Sequence, residues 1–517
     1  MFSRGLAARG SASAALHHAS RRVECSKQRL VRWMATEALE AADKPTKYGQ
    51  PLYQSHPHLV KPGELTPGIP RKEYEKRRKA LMDSLPENSV VVCAAAPIKY
   101  MSGGEPHDCS YKYRQASDFW YLTGFEEPDS AVILEKTSTS KGYRMTLFCS
   151  GKNLAQEKWD GAKTGLSEAT AIFGADEARS IDHFADHLRS LASLYSNVFI
   201  DLDGANQRRG RSQSMLKYLT KARPKSTLET AMGAFSLPSS KRRPLGPEIA
   251  RMRAIKSDAE VRVMRAAADI SAHAHAKTMR FTQPGMNESQ LAAHFAYMCA
   301  MRGAQRQAYV PVVASGPNAL IIHYTSNNQL IRAGELVLID AACEFNGYAS
   351  DITRTFPASG VFSPAQRDIY QAVLSAQREL VKMCNAASGH SLYSIHRESR
   401  AMLRAELNRL PGFHLDLADV DTLYPHFVSH PIGIDLHESS NFDRSGELKP
   451  GMVITIEPGI YVPPTAQFPK HFHDIGVRIE DEVVVGEHHP TVLTVSAPKE
   501  IADVEGACQG LLGLEPY

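Results

Sequence analysis

At 517 residues, with 43% hydrophobic and 22% charged side chains, the chain has the length of two domains plus tails and the composition of a soluble globular protein. No run reaches the ~18 consecutive apolar residues of a spanning helix. The net charge of +4 hides unlike parts: residues 1–36 carry seven Lys/Arg against one acid, Glu24, so this leader holds +6 and the rest −2. That excludes a bulk electrostatic footprint for nucleic acid in the body of the chain.

The leader is rich in Arg, Ser and Ala, nearly free of acid and without a continuous apolar core. Those are the marks of a mitochondrial transit peptide rather than a secretory signal. An arginine two residues before a cut places cleavage near Arg32-Trp33-Met34. A matrix destination predicts reduced thiols, and the eight cysteines are scattered with no CxxC pair. Residues 37–67, dotted with Pro45, Pro57 and Pro62, read as a flexible, extended lead-in. A basic surface helix is predicted over 71–82 (RKEYEKRRKALM), strands over 89–94 and 130–134, a helix over 181–192 and a strand over 197–201. The first part therefore reads as α/β. A boundary falls near 238–247, where Pro, Ser and basic residues crowd together. Lys241-Arg242-Arg243 within it read as a solvated linker, because no aromatic residues interleave them for stacking on bases. A helix restarts at Ser257-Asp258-Ala259-Glu260, a capping-box pattern ahead of Val261, Met264 and Ala268. Helical stretches at 288–302 and 363–385 then alternate with strand-like blocks to about residue 497.

The strongest local signal is a pair of β-rich runs flanking Asn346-Gly347, the preferred pair for a two-residue type I′ hairpin turn. With that turn, Asp340 faces Thr353 and Asp351 faces Ala342, so the two aspartates lie on one face as diagonal neighbours, about 7–8 Å apart at Cβ. Two like charges beside Leu336, Val337, Leu338 and Ile339 are costly unless something cationic neutralises them. Arg354 points to the opposite face by parity, which favours a metal over a simple ion pair. Three more blocks supply what a metal needs. Between Phe427 and His437, Pro431 and Gly433 exclude a helix, leaving His430 on irregular or extended backbone. An apolar strand ends in Glu457 at Pro458-Gly459. Arg478 and Glu480 share one face of a strand whose other face holds Val477 and Ile479. Four carboxylates and an imidazole, with no thiolate, suit Mn, Mg, Co or Zn better than they suit a structural zinc. Two ions on five ligands leave room for an activated water, the chemistry of a metallohydrolase.

The order and spacing of these blocks resemble the pita-bread metallopeptidases of family M24, and specifically aminopeptidase P. The segments HYTSNN (323–328), LIDAACEFNGYASDITRTFP (338–357), SHPIGIDLHE (429–438), GMVITIEPGIYV (451–462), VRIEDEVVV (477–485) and APKEIADVE (497–505) carry the resemblance. YRQASDFWYLTGF (113–125) resembles the non-catalytic creatinase-type domain of aminopeptidase P, with core packing the expected role of Trp120 and Tyr121. The resemblance implies an α/β creatinase-like domain over 68–245, an α+β pita-bread catalytic domain over 246–505 and a C-terminal tail over 506–517. It places metal ligands at Asp340, Asp351, His430, Glu457 and Glu480, with Asp351 and Glu480 bridging two divalent ions, usually Mn²⁺. Glu457 also receives the proton of the attacking water. His323, His426 and His437 match active-site histidines that hold substrate and assist proton transfer, and Tyr461 and Arg478 are implied on the substrate-binding side.

The leader points to the mitochondrial branch of this family, in the matrix or peripheral to the inner membrane. Members of that branch remove one residue from imported proteins after the presequence protease has cut. The expected substrate is thus a protein or peptide N-terminus, and a homo-oligomer is compatible with the same resemblance. The motifs leave a classical Xaa-Pro aminopeptidase open as the alternative, and behind it a prolidase or a pita-bread binding module without catalysis.

Overall fold

The computed structural model describes residues 47–101, 110–200, 232 and 237–516. The leader 1–36 and the first part of the lead-in lie outside the described residues. The described residues separate into two compact units, one reaching Val198 and including 237–242, the other comprising 199–200 and 243–516.

The first unit is built on five strands of a six-stranded sheet, β1 (Ser89–Ala94), β2 (Ala131–Lys136), β3 (Tyr143–Cys149), β4 (Glu177–Ser180) and β5 (Asn197–Ile200, whose last two residues fall to the second unit), in the order β4-β3-β2-β1-β5, with the short strand Arg242–Arg243 next to β5 as the sixth. β1 and β2 are antiparallel, with Val91 opposite Leu134. β3 and β4 run parallel. The near-continuous apolar run Val90–Val92 follows from burial on both faces. The region expected as one helix over 181–192 is a 3₁₀ turn, Ile181–His183, running into a helix, Phe184–Leu194.

Helix α1 (Arg71–Ser84) forms as predicted, but it is no simple surface helix, because Arg77 and Arg78 are buried. The Arg77 Nη1 donates to the Tyr121 carbonyl at 3.2 Å, and the Arg78 Nη1 to the Leu122 carbonyl at 2.8 Å. These carbonyls end helix α2 (Ser117–Thr123), where they have no partner within the helix. Two guanidinium groups therefore cap α2 from a neighbouring element, on the end its dipole makes negative. Trp120 and Tyr121 pack in the core beside them. Residues 47–67, expected as part of a flexible lead-in, are turn-rich but anchored: Gln50 donates to the Gly124 carbonyl and accepts from the Glu126 amide, both at 2.9 Å, and Leu52 and Val60 are buried. Side chains and turns do there what regular elements do elsewhere, which is why proline did not loosen it.

In the second unit, helix α3 (Asp258–Phe281) begins with the reciprocal Ser257/Glu260 capping box, and α4 (Glu288–Met301), α5 (Pro364–Lys382) and α6 (Leu392–Leu407) follow. β6 (Val312–Ser315), β7 (Leu336–Asp340) and β10 (Thr353–Pro357) form one antiparallel sheet in the order β6-β7-β10. Between β7 and β10 lies a hairpin of β8 (Cys343–Phe345) and β9 (Tyr348–Ala349). β11 (Val453–Ile456) pairs with β14 (Asp481–Val484), and β12 (Gly459–Val462) with β13 (Ile475–Arg478). Val337 and Ile339 of β7 join a core with Phe295 of α4, Val373 of α5 and Ile454 of β11. Leu338 faces a separate cluster with Val312, Ala314 and Tyr461. β7 thus has an apolar layer on each side, and Asp340, two residues from Leu338, ends it on the Tyr461 side. The stretch 506–517, expected as a tail, starts inside helix α7 (Ile501–Gln509), whose Val504 and Ala507 are buried in the core.

Candidate active site

The hairpin is the frame of the site. Asn346 and Gly347 both have positive φ, 50° and 83°, as a type I′ turn requires, and Asn tolerates that region better than most residues. The register that follows sets Phe345 opposite Tyr348, Glu344 opposite Ala349 and Asp340 opposite Thr353. Between these paired stretches the ladder is interrupted on both strands, and Asp340 and Asp351 stand at the interruption. Both reach one hydroxyl, that of Tyr309, at 2.5 Å from Asp340 Oδ1 and 2.7 Å from Asp351 Oδ1. Arg354, on the other parity, turns away and ends on the fully buried Asp481 at 2.8 Å.

His430 arrives from a segment lying alongside β11. Its carbonyl accepts the Thr455 amide at 2.9 Å, and the Val428 carbonyl accepts the Glu457 amide at 2.9 Å, so His430 and Glu457 are set side by side. The His430 Nδ1 lies 3.2 Å from the Pro431 carbonyl, which can only accept. Nδ1 therefore carries the hydrogen, and Nε2 presents a lone pair to the carboxylates, 3.2 Å from Asp351 Oδ2 and 3.7 Å from Glu457 Oε1. Glu480, just past β13, donates its amide to the Thr353 carbonyl and accepts the Thr353 hydroxyl at 2.7 Å. Donor atoms of Asp351, His430 and Glu480 all fall within 4.8 Å of one another.

These residues line one side of a cavity of about 400 Å³, with Val310, Val312, Ile322 and Leu436 among its apolar lining. Asp340, Asp351, Glu457 and Glu480 line it, and Arg478 is the cation bound among them, donating to Asp340 Oδ2 at 2.7 Å. Burial pushes the Asp351, Glu457 and Glu480 carboxyl groups well above the usual range, and their like-charged neighbours push further: Asp340 on Asp351, Glu480 on Glu457, and Asp351 on Glu480. A buried cluster of four carboxylates, with Arg478 among them and Arg444 on the same lining, carries surplus negative charge that protons or cations must neutralise. Oxygen donors, one imidazole lone pair and this surplus fit hard or borderline divalent ions.

The histidines and their supports occupy distinct places. The His426 Nδ1–H faces the Phe427 carbonyl at 3.1 Å, and its Nε2 accepts the Tyr461 hydroxyl at 2.9 Å. The Tyr461 oxygen in turn accepts Arg478 Nη1 at 2.8 Å. Burial and then Arg478 hold His426 neutral, with its pKa lowered to about 3. Tyr461, expected on the substrate-binding side, is buried with both hydrogen-bonding roles taken, so it fixes His426 and Arg478 from behind. His437 packs edge-on against His430 at 4.4 Å, and burial and then His430 lower its pKa to about 4. His323 lines the cavity from an exposed position. All five expected ligands, the three histidines and Arg478 therefore border one cavity. Tyr309 went unanticipated. It is a single tyrosine ahead of an apolar strand, and no pattern in the sequence distinguishes it.

Comparison with known proteins places the chain in a family. The N-terminal domain of aminopeptidase P matches residues 74–199 and metallopeptidase family M24 matches residues 262–487. Intermediate cleaving peptidase 55 of Saccharomyces cerevisiae is 38% identical over 90% of this chain and 89% of its own length. A crystal structure of Icp55 from that organism matches with a TM-score of 0.75 at 36% identity, covering 87% of this chain and 99% of that one. Intermediate cleaving peptidase 55, mitochondrial, of Arabidopsis thaliana is 37% identical over 88% of this chain and 87% of its own. Xaa-Pro aminopeptidase 3 of Homo sapiens is 36% identical over 90% and 91%.

Proposed function

Because the chain belongs to metallopeptidase family M24, in its aminopeptidase P branch, we propose that it trims a single N-terminal residue from imported precursor proteins in mitochondria. The observation that carries the chemistry is the convergence of Asp340, Asp351, His430, Glu457 and Glu480 on one cavity. Support for the location comes from the basic, nearly acid-free leader and from the similarity to the mitochondrial Arabidopsis peptidase. Among the described residues no helix is long and apolar enough to cross a membrane.

Family membership carries a dependence on divalent metal ions. Our assignment is two ions, Mn²⁺, which Asp340, Asp351, His430, Glu457 and Glu480 would hold. When bound there, they supply Lewis acidity for activating water and polarising a peptide carbonyl. The remaining work falls to the chain. Glu457, on the cavity lining with Oε1 3.7 Å from His430 Nε2, is placed to hold the proton that the attacking water gives up. His437, neutral at the cavity, offers a hydrogen-bonding group to the substrate's first peptide unit, while His426, with both ring nitrogens engaged by Tyr461 and the Phe427 carbonyl, forms a fixed part of the cavity lining.

One observation favours a second reading, a classical Xaa-Pro aminopeptidase: the similarity to human Xaa-Pro aminopeptidase 3 has almost the same identity and extent. The two separate in a paired assay of the purified enzyme with Mn²⁺. One peptide begins Xaa-Pro; the other begins with Tyr, Leu or Phe followed by Ser or Ala. Faster cleavage of the second supports precursor trimming, and preference for the first replaces it with the Xaa-Pro reading.

A further inference from the structure

His275, in the middle of α3, is not among the residues that line the cavity, yet its ring reaches the backbone beside two of the candidate ligands. Its Nε2 lies 2.9 Å from the Ala341 carbonyl and 3.1 Å from the Ile352 carbonyl. Each carbonyl belongs to the residue that follows a candidate ligand, Asp340 on one strand and Asp351 on the other. This is also where the ladder between β7 and β10 breaks: the Ala341 amide still reaches the Ile352 carbonyl at 3.2 Å, but no strand pairing spans 341–342 and 350–352. One helical turn earlier, Ser271 accepts the Cys343 amide at 3.0 Å and meets the Ser350 hydroxyl at 2.6 Å, so α3 grips both sides of the break.

Carbonyls only accept, so Nε2 carries the ring hydrogen and shares it between the two strands. Burial and then Arg354 lower the pKa of His275 to about 3, leaving the ring neutral with a single N–H. Its other nitrogen, Nδ1, is buried with no hydrogen-bond partner among the described residues. Packing alone does not account for that. The ring lies edge-on to Phe295 at 5.0 Å, where an apolar side chain would fill the space without stranding a polar atom. The shared Nε2–H is what the imidazole adds.

We propose that His275 is a positioning residue that fixes the separation of Asp340 and Asp351 by tying together the two backbone carbonyls beside them, and so sets the fit of the metal centre. The inference rests on the metal reading above. Removing partners that orient metal ligands lowers metal affinity about 10–100-fold in general. The test is calorimetric titration of the chelator-stripped full chain with Mn²⁺, with bound ions counted by mass spectrometry. Wild type is compared with His275→Gln, whose amide N–H₂ can replace Nε2–H; His275→Leu, which lacks a donor; and His275→Asn, whose amide is too short to reach. Leu and Asn are expected to lose at least about tenfold in Mn²⁺ affinity or to bind one ion fewer, and Gln to stay within about threefold. Should Leu not fold, Asn against Gln decides. Wild-type affinity and stoichiometry in Leu and Asn, or a Gln variant as weak as they are, overturns the proposal. A wild-type chain that takes no Mn²⁺ overturns the metal reading and the inference together, so the two failures are distinct.

Discussion

The buried neutral imidazole of His275 makes the fold acid-sensitive by a calculable amount. In the unfolded chain a histidine titrates near 6.5. In the fold, burial and then Arg354 lower His275 to about 3, and the side chain is 1% exposed, so little solvent screening applies. A lowered folded-state pKa means that the unfolded chain binds the proton first. The stabilisation is therefore fully present above pH 6.5 and is lost as pH falls toward 3. Between pH 7 and 5 the unfolded chain gains about 2 kcal/mol from this one proton. That figure hardly changes whether the folded value is 3 or 4, since both lie below 5. Other groups titrate in the same window, so the quantity to measure is a difference: equilibrium urea unfolding of wild type and His275→Gln at both pH values. Circular dichroism is the appropriate probe, because Trp33, Trp120 and Trp159 all precede the second unit. The variant should gain about 2 kcal/mol on wild type between pH 7 and pH 5. Parallel pH dependences would refute the reasoning and show that His275 is protonated, or open to solvent, in the folded state.

Three other outcomes follow from the same geometry. Glu457→Gln keeps the shape but not the proton acceptor, so turnover at saturating Mn²⁺ should fall about 10²–10⁴-fold with thermal stability nearly unchanged; Asp340→Ala should lose ion binding itself, read by calorimetry. Arg478→Met strands Asp340, Tyr461 and Thr353, all within 3.1 Å of the guanidinium, and should cost about 3–5 kcal/mol by denaturant unfolding, whereas Arg478→Lys keeps the charge but not the planar fork and should fall between it and wild type. Chelation should abolish peptide cleavage and lower the melting temperature of the second unit, and Mn²⁺ at about a hundredfold over its Kd should return roughly 2.7 kcal/mol of stability; a melting temperature indifferent to chelator would remove the ions from the account.

How far this site was legible depended on how local each signal is. Asn346-Gly347 fixed a turn by backbone conformation alone, and once the turn was fixed, a period of two carried Asp340 to Thr353 and turned Arg354 away, as observed. Pro431 and Gly433 excluded a helix around His430, and the Ser257/Glu260 box set the start of α3, again from neighbours within a few residues. Tyr309, Tyr461 and His275 behave differently, because their meaning lies in what faces them. Tyr461 read as a side chain directed at substrate, until Arg478 and His426 were found to occupy its hydroxyl. The burial of Arg77 and Arg78 depends on helix carbonyls 44 residues further on, and no periodicity in RKEYEKRRKALM reports the presence of that acceptor. His275 is the extreme case. Four residues from Ser271, it reads as one more position on a helix face. Its consequence appears only where α3 meets a ladder interrupted between two aspartates. Residues that present a charge or make a turn declare themselves in sequence. Residues that complete another residue's hydrogen bonds do not, and in this chain those are the ones that hold the declared carboxylates in place.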